Sequence, residues 1–470
     1  MSDLCLSPAV ELARLVADGQ LSAAELVQAH LDRIDRVNPR LNALVDVRAD
    51  AALAEARAQD AAAARGVPRG PLGGVPVTVK SAIEVAGLRC ETGSPARRGI
   101  VATQDAVVVS RLRAAGAIVL GTTNVAEMLM AYESDNPLHG RTISPWDPSR
   151  TPGGSSGGEA AAIAAGCSAG GIGSDGGGSI RVPAHFSGIC GLKPTPGRIP
   201  ATGHQPPCLG PFSVIGCVGP MARTVADVQQ LFDVLTGWDD VDPYATPLAA
   251  GGSASLAGTT VAVFEDDGEH PVTAGTQAAV RAAAQALSDA GLEVTDYRPP
   301  ALSRARALWD VFFAETGALL LGETLAGAER NRPSCAPIGR PIRHAPADRR
   351  APRARLDRSR PGARRAPSPT WRPGASSSCA PSPPSRRSGT ASGAGPSTGA
   401  TWVTWTPWCT PSGSTSSATR PPWCRSAWRT GCLWAYRSWA GPTARPRCWR
   451  CRVIERAAGG REGRPLMIVN

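Results

Sequence analysis

Serine lies within two glycine-rich clusters between residues 150 and 199: GGSSGG, which contains Ser155, and SDGGGS, which ends at Ser179. Glycine lets a backbone approach a ligand closely and adopt unusual dihedral angles, and neighbouring Gly N–H groups are what an oxyanion hole requires. A serine that ends such a run offers its hydroxyl beside those donors. One cluster alone would be interpreted as a turn with incidental serine, but two so close together favour nucleophilic catalysis.

A nucleophilic serine needs a base, and the use of lysine in this chain suggests one. Of the 50 Lys and Arg residues only two are lysine, Lys80 and Lys193. Arginine cannot give up its proton at neutral pH, whereas lysine can once desolvation lowers its pKa. Lys80 ends the apolar segment 75–79, which should carry it into the interior, although the same pattern fits a strand-end lysine that reaches solvent.

Two other glycine motifs overlap these clusters. Residues 153–157 spell GxSxG, the nucleophile elbow of α/β-hydrolases, which would make Ser155 the nucleophile and would need His204 or His270 together with an acid. Residues 171–176 spell GxGxxG, but only small residues precede this motif and no acidic residue follows at the spacing that dinucleotide binding requires. The sequence therefore disfavours a dinucleotide site and leaves the elbow as an alternative.

The elements that must position these residues alternate between helix and strand. Ser22 and Glu25 have capping-box spacing at the start of an amphipathic helix, which Asn38 and Pro39 are expected to end. Hydrophobic periodicity predicts further helices over 46–66, 105–116 and 276–291, and strands over 73–80, 117–120, 259–266 and 292–297. A small-residue helix should separate the two serine clusters. This alternation predicts a layered α/β fold.

At these residues the chain resembles the amidase signature family. The family pattern is a lysine ending GxPVxVK, then GGSSGG, then DxGGSxRxPA leading into GxKPTxGR. This chain has GGVPVTVK, GGSSGG, DGGGSIRVPA and GLKPTPGR in that order, and the resemblance extends from about residue 6 to about residue 330. The segment YESDNPLHGRTISPWDPSRTPGGSSGGEAA is most similar to fatty-acid-amide-hydrolase-type members. The resemblance implies an amidase-signature fold, in which helices flank a mixed, twisted β-sheet.

The resemblance also implies a reaction, the hydrolysis of a carboxylic amide to an acid and an amine or ammonia. Ser179 would be the nucleophile, Ser155 the bridging serine on a cis peptide bond, and Lys80 the terminal base. Supporting roles follow for a larger set of residues. The oxyanion-hole donors would be the N–H groups of Gly176, Gly177, Gly178 and Ser179. The residues that fix the loop would be Asp175, Arg181 and Ser156, and the residues of the acyl pocket would be Leu129 and Met130.

Partners and location are predicted from what the chain resembles and what it lacks. The resemblance implies a small-molecule amide substrate, no metal and no cofactor, and it leaves a homodimer open. The N-terminus has no basic region followed by an apolar run, and no stretch approaches the ~20 apolar residues of a membrane helix. With 13 cysteines and no export signal, the chain is predicted to be cytoplasmic with reduced thiols.

The net charge of +11 averages two unlike parts of the chain. Residues 1–335 carry 26 Lys and Arg against 35 Asp and Glu, a balance of −9, whereas residues 336–470 carry 24 Arg against 4 acids, a balance of +20. We therefore divide the chain into an N-terminal helical segment, an incomplete amidase signature core, an Arg/Pro/Ser/Trp-rich segment and a C-terminal remnant. Their bounds are 1–65, 66–335, 336–452 and 453–470.

Three interpretations compete for the basic segment 336–452, which has no period of a helix or strand and is expected to be irregular or disordered. It could be a tail that binds nucleic acid, with Trp stacking on bases. Cys448 and Cys451 form a CxxC, but no second ligand pair follows at the spacing of a metal site. The favoured hypothesis is a frameshift in a GC-rich gene, because such codons read out of frame yield Arg, Pro, Ser, Ala, Trp and Cys with few acids. No nucleic-acid partner is then expected.

Because the chain does not match the family after residue 330, two alternatives for the function remain open. The family continues after residue 330 with further strands and helices, and nothing here resembles them. The chain could thus be an inactive, truncated amidase homologue. It could also be an amidotransferase A-type subunit, which uses the same three residues but needs partner subunits.

Overall fold

The computed structural model describes residues 4–208, 210, 212–247, 256, 258–300, 302–317 and 321. The predictions for 336–452 and 453–470, including the frameshift hypothesis and the CxxC pair, lie outside these residues. The helices are α1 Ala9–Ala17, α2 Ala23–Leu41, α3 Ala49–Ala64, α4 Val107–Ala114, α5 Gly157–Ala164, α6 Arg181–Ser187, α7 Phe212–Ile215, α8 Val225–Leu235, α9 Ala274–Asp289 and α10 Leu302–Trp309. The strands are β1 Leu44–Val47, β2 Pro76–Lys80, β3 Ile118–Thr123, β4 Gly170–Asp175, β5 Cys190–Gly191, β6 Cys217–Ala222, β7 Thr260–Val263 and β8 Glu293–Asp296.

Six strands form a mixed sheet in the order β1-β3-β2-β4-β6-β5. β2 is parallel to both of its neighbours, β3 and β4, whereas β1, β6 and β5 pair antiparallel. All residues of β2, β3 and β4 are buried. The predicted mixed β-sheet core flanked by helices is therefore confirmed, and its centre is the strand that ends at Lys80.

A separate two-stranded parallel sheet pairs β7 with β8, and α9 connects them. This strand–helix–strand unit is the one that the periodicity of 259–297 predicts. Both strands are short and partly exposed. The unit lies in the chain between the six-stranded sheet and α10, which is followed by a π-helical turn over Asp310–Glu315.

One hydrophobic core joins the N-terminal helices to the main sheet. Leu12, Leu26 and Ala52, from α1, α2 and α3, belong to the same buried cluster as Val77 of β2 and Ile118 of β3. The segment 1–65, predicted to be helical, thus packs on the sheet and also supplies its strand β1. No helix of the described residues has both the length and the apolar character needed to cross a bilayer.

Helix α2 begins as predicted but ends later. The Glu25 N–H donates to Ser22 Oγ at 3.1 Å, and the Ser22 N–H donates to the Glu25 carboxylate at 3.0 Å, which completes the capping box. The expectation that Asn38 and Pro39 end the helix is wrong, since it continues to Leu41. Pro39 has no N–H group to donate to the carbonyl of residue 35, yet the helix runs two residues beyond it. Asn42, in the left-handed region at φ 52°, then closes the helix with an N–H bond to the Asn38 carbonyl.

Candidate active site

Lys80 lies at the end of β2 and is fully buried. Its Nζ is 2.7 Å from Ser155 Oγ, 3.0 Å from Ser174 Oγ and 3.2 Å from the Ser174 carbonyl oxygen. The interpretation of Lys80 as a strand-end lysine that reaches solvent is therefore wrong. Burial lowers the pKa of Lys80 to about 7, against the opposing effect of acidic groups that include Asp175 and Glu159. A neutral amine is thus accessible near physiological pH.

Ser155 lies in the turn before α5, where the first serine cluster crosses the end of the sheet. The Gly154-Ser155 peptide bond is cis, and the Ser155 side chain is fully buried. Ser134 holds this turn, because its hydroxyl donates to the Ser155 carbonyl at 3.1 Å and accepts from the Gly157 N–H at 2.8 Å. Lys80 is thereby kept in contact with a fixed hydroxyl.

Ser179 follows β4 in the second cluster and precedes α6. It is 7% exposed, and its carbonyl accepts the Ser156 N–H at 3.2 Å. The Ser156 hydroxyl in turn donates to the Ser174 carbonyl at 3.2 Å. These bonds bring the two clusters together, and Ser155 and Ser179 line the same cavity.

The loop between β4 and α6 is organised around Asp175. Its carboxylate accepts N–H bonds from Gly178 at 2.6 Å and Ile180 at 3.0 Å, and it pairs with Arg181 through Nε and Nη2, both at 3.0 Å. Burial would raise the pKa of Asp175, but Arg181 and the N–H donors bring it down to about 2. The Gly178 N–H is therefore already used, which differs from the expectation that it serves as an oxyanion donor.

The cavity above the serines has mostly apolar walls. Leu129 and Met130, the predicted acyl-pocket residues, line it together with Met128, Phe212 and Phe313. Leu129 has a positive φ of 65°, which is unusual for a branched residue and turns the 127–130 segment towards the cavity. Ser155, Ser179 and Gly176 also line the cavity. Such a site can take a reactive polar group near the serines and an apolar group against the other walls.

An aromatic cluster near the end of the described residues lies against the loop between β4 and α6. The Trp309 ring lies against Gly177, where any Cβ would collide with it. Trp309 stacks on Phe313 with ring centroids 4.2 Å apart, and Phe313 meets Phe212 edge-on at 6.1 Å. These residues lie outside the motifs that predicted the site. The sequence feature that could have indicated them is the aromatic segment WDVFF over 309–313, in a chain with six Phe residues.

Ser174 and Glu159 were also missed. Ser174 precedes Asp175 in the second cluster, and its hydroxyl contacts Lys80. Glu159 is an acidic residue within the otherwise small and apolar segment GGEAAAIA of α5. Both residues lie inside or directly next to the glycine-rich motifs. A polar side chain among small and apolar residues was the sequence feature that could have indicated a role for each.

The histidines proposed for the elbow alternative make other contacts. The His204 ring binds the Pro206 carbonyl through Nδ1 at 2.8 Å, and His270 pairs with Asp267 at 2.6 Å. Ser155 instead contacts Lys80. Among the described residues no group of three or more His, Cys, Asp or Glu could hold a metal ion.

Comparison with known proteins identifies the family of the chain. The family model described as Amidase matches residues 25–336. Indoleacetamide hydrolase of Bradyrhizobium diazoefficiens is 40% identical over 311 residues, which are 66% of this chain and 59% of that protein. The A-type subunit of glutamyl-tRNA(Gln) amidotransferase from Salinispora arenicola is 42% identical over 309 residues, which are 64% and 62% of the two chains.

A solved structure described as fatty acid amide hydrolase superposes with a TM-score of 0.64 at 28% identity, covering 71% of this chain and 59% of that one. The chain thus spans about 60% of the length of the curated relatives that it matches. The matched region contains both serine clusters and the buried lysine. On the family match and the fold together, the chain belongs to the amidase signature family.

Proposed function

We propose that the protein is an amidase that hydrolyses a carboxylic amide through an acyl-enzyme on Ser179, with Ser155 and Lys80 as a proton relay. The observation that carries the proposal is the contact of 2.7 Å between Lys80 Nζ and Ser155 Oγ in a buried site that shares its cavity with Ser179. Serine is a weak nucleophile unless a base takes its proton, and a desolvated lysine is such a base.

Two coupled proton transfers carry one net proton from Ser179 to Lys80 during attack, and the reverse transfers later return it. Neutral Lys80 accepts a proton from Ser155, and Ser155 accepts one from Ser179 as its oxygen attacks the amide carbonyl carbon. The developing oxyanion binds the N–H groups of Gly176, Gly177 and Ser179, while Gly178 stays bonded to Asp175. The relay then reverses and protonates the departing amine, which is a poor leaving group without that proton. Water releases the acid from Ser179 by the same route.

The substrate proposed here is a small amide whose acyl group is apolar. The cavity walls contribute thioether, aliphatic and aromatic side chains, among them Met130, Leu129 and Phe313. Apolar walls with few polar groups favour an apolar ligand part. The names of two similar proteins, indoleacetamide hydrolase and fatty acid amide hydrolase, are compatible with such a substrate.

A second candidate is the A-type component of an amidotransferase that acts with partner subunits. It is favoured by the 42% identity to the glutamyl-tRNA(Gln) amidotransferase component from Salinispora arenicola. The apolar cavity walls favour the first candidate. Ammonia release from a simple primary amide by the purified chain, without added partners, would separate the two, since a dependent component should release little by itself.

The nucleophile is tested by labelling with a fluorophosphonate, which reacts with activated serine. We expect Ser179→Ala to abolish labelling and hydrolysis. Label that persists in Ser179→Ala and disappears in Ser155→Ala would contradict the proposal and support the elbow alternative. Circular dichroism of both variants controls for loss of folding.

A further inference from the structure

Glu159 is a buried acidic residue for which the proton relay gives no role. It is completely buried in α5, and its carboxylate accepts hydrogen bonds from Thr78 Oγ1 at 2.5 Å and Thr123 Oγ1 at 2.9 Å. Two hydroxyl groups compensate poorly for a buried negative charge. A carboxyl group kept at such a cost therefore calls for an explanation beyond packing.

Its two hydrogen-bond donors flank Lys80 in the sheet. Thr78 precedes Lys80 by two residues on β2, so both side chains leave the same face of that strand. Thr123 on β3 is the register partner of Lys80. Glu159 also follows Ser155 by four residues in the chain, so the carboxyl group and the bridging serine approach Lys80 from the same segment. The charges of Glu159 and Lys80 act on one another.

The neighbouring strand β4 leaves room for this carboxyl group. At Gly171 a Cβ atom would collide with Glu159 Oε1 and with the Thr78 carbonyl oxygen. A glycine at position 171 is thus needed for the Glu159 carboxyl group to occupy its place next to Thr78. Thr78 Oγ1 also bonds Ser168 Oγ at 3.0 Å, which fixes the threonine rotamer.

We propose that Glu159 is a positioning residue of the relay: its carboxyl group, held by Thr78 and Thr123 beside Lys80, controls through its charge how easily the lysine releases its proton. This inference rests on the proposed role of Lys80 as the terminal base. An ionised carboxylate stabilises the ammonium form of a neighbouring lysine, whereas a protonated carboxyl group does not. The two groups then titrate as one coupled pair.

The other titratable groups around Lys80 have fixed charges near neutral pH. Asp175 is ionised, and Arg181 neutralises it at 3.0 Å. Burial lowers the pKa of His204 to about 4 and raises the pKa of Cys208 to about 11, so both are uncharged at pH 7. Burial also raises the pKa of Glu159 to about 8, against the effects of its hydroxyl partners and Lys80. Glu159 is therefore the neighbour whose charge changes in the range where the relay works.

The test compares pH profiles of the full chain between about pH 5 and pH 9. Two rates are followed, kcat/KM for an amide and the rate constant of fluorophosphonate labelling. The pKa of Glu159 is about 8, so its carboxyl group is only partly ionised on an acid limb near pH 7. Glu159→Gln removes that partial charge, so the acid limb of both profiles should move to lower pH by less than about one unit. Thr123→Val removes a donor that favours ionised Glu159 and should move the limb in the same direction by less. Limbs that stay in place, or move to higher pH, would overturn the inference.

A buried carboxyl group away from Lys80 provides the matched control. Asp227 is fully buried, burial raises its pKa, and it accepts the Val10 N–H at 2.9 Å. Asp227→Asn should leave the limb in place, and an equal shift there would show a general effect of stability and overturn the inference. Glu159→Asp keeps an ionisable carboxyl group, so the pH of its acid limb should lie closer to that of the wild type than the limb of Glu159→Gln does.

The two readouts separate the inference from the proposed function. A wild-type chain that is labelled at Ser179 but hydrolyses no amide would refute the proposed hydrolysis, while the labelling profiles would still test Glu159. A wild-type chain that is not labelled at any pH would remove the relay and the inference together.

Discussion

The proposed role of Lys80 requires lysine and not arginine, because a base in a proton relay must exist in two protonation states. Burial lowers the pKa of Lys80 to about 7, so the amine and the ammonium are both populated near neutral pH. The guanidinium group of arginine keeps its proton throughout the physiological range. Lys80 Nζ contacts Ser155 Oγ at 2.7 Å, and an arginine at this position could not accept a proton from that hydroxyl.

We therefore expect Lys80→Arg to be as damaging as Lys80→Ala, with kcat/KM at pH 7–8 reduced by more than ~10³-fold in both, since members of a relay act as a unit. Lys193→Arg is the matched control and should retain activity, because Lys193 is the other lysine of the chain and is not part of the relay. Near-normal hydrolysis by Lys80→Arg would rule out Lys80 as the base.

At the scale of elements, α5 fixes the site because its first turn lies directly on the sheet. Gly158 makes this approach possible: a Cβ atom there would collide with the Asn124 backbone and would lie 2.7 Å from the Ala43 carbonyl oxygen. The same turn carries Ser155 before it and Glu159 after it. The distance between α5 and the strands β1 and β3 thus decides whether both side chains reach Lys80.

Gly158→Ala should change the free energy of unfolding through two opposing effects. Alanine improves intrinsic helix propensity by about 1 kcal/mol, whereas an added Cβ against backbone atoms costs about 1–3 kcal/mol or more. We expect the steric effect to dominate and the free energy of unfolding, measured in urea, to fall by about 2 kcal/mol. In Gly176→Ala the nearest contact of the Cβ among the described residues would be Phe313 at 3.7 Å, so this control should lose little stability. A Gly158→Ala protein as stable as the wild type would contradict the proposed docking of α5.

At the scale of the whole molecule, an acidic amidase-family region is joined to a strongly basic segment. The family match ends at residue 336, where the balance of charge changes from −9 to +20. The β-sheet described here ends at β1 and at β5, a strand of two residues. β1 is partly exposed, and an exposed sheet edge favours association between chains.

We expect the chain with this sequence to show low solubility and low specific activity, and a chain translated in one uninterrupted frame across codons 325–460 to show more of both. Sequencing the gene across these codons tests the frameshift directly, and soluble yield with amide hydrolysis tests its consequence. Soluble, fully active protein of the present sequence would contradict the expectation.

Local patterns predicted the elements because capping, periodicity and glycine content act between residues that are close in the chain. They gave the start of α2 at Ser22, the strand ending at Lys80 and the unit from β7 to β8. They failed at Pro39, because the residue that ends the helix is Asn42, whose left-handed backbone conformation only the structure shows.

The sequence by itself determined the family and the residue types of the site, since its motifs are contiguous and glycine, serine and lysine each have few physical substitutes there. Only the tertiary structure decided which groups touch. Lys80 meets Ser155 across 75 positions, Glu159 meets Thr78 across 81, and Trp309 covers Gly177 from the end of the described chain. Such contacts depend on how helices pack on the sheet, and packing is set by the shapes of many distant side chains together, which no local pattern contains.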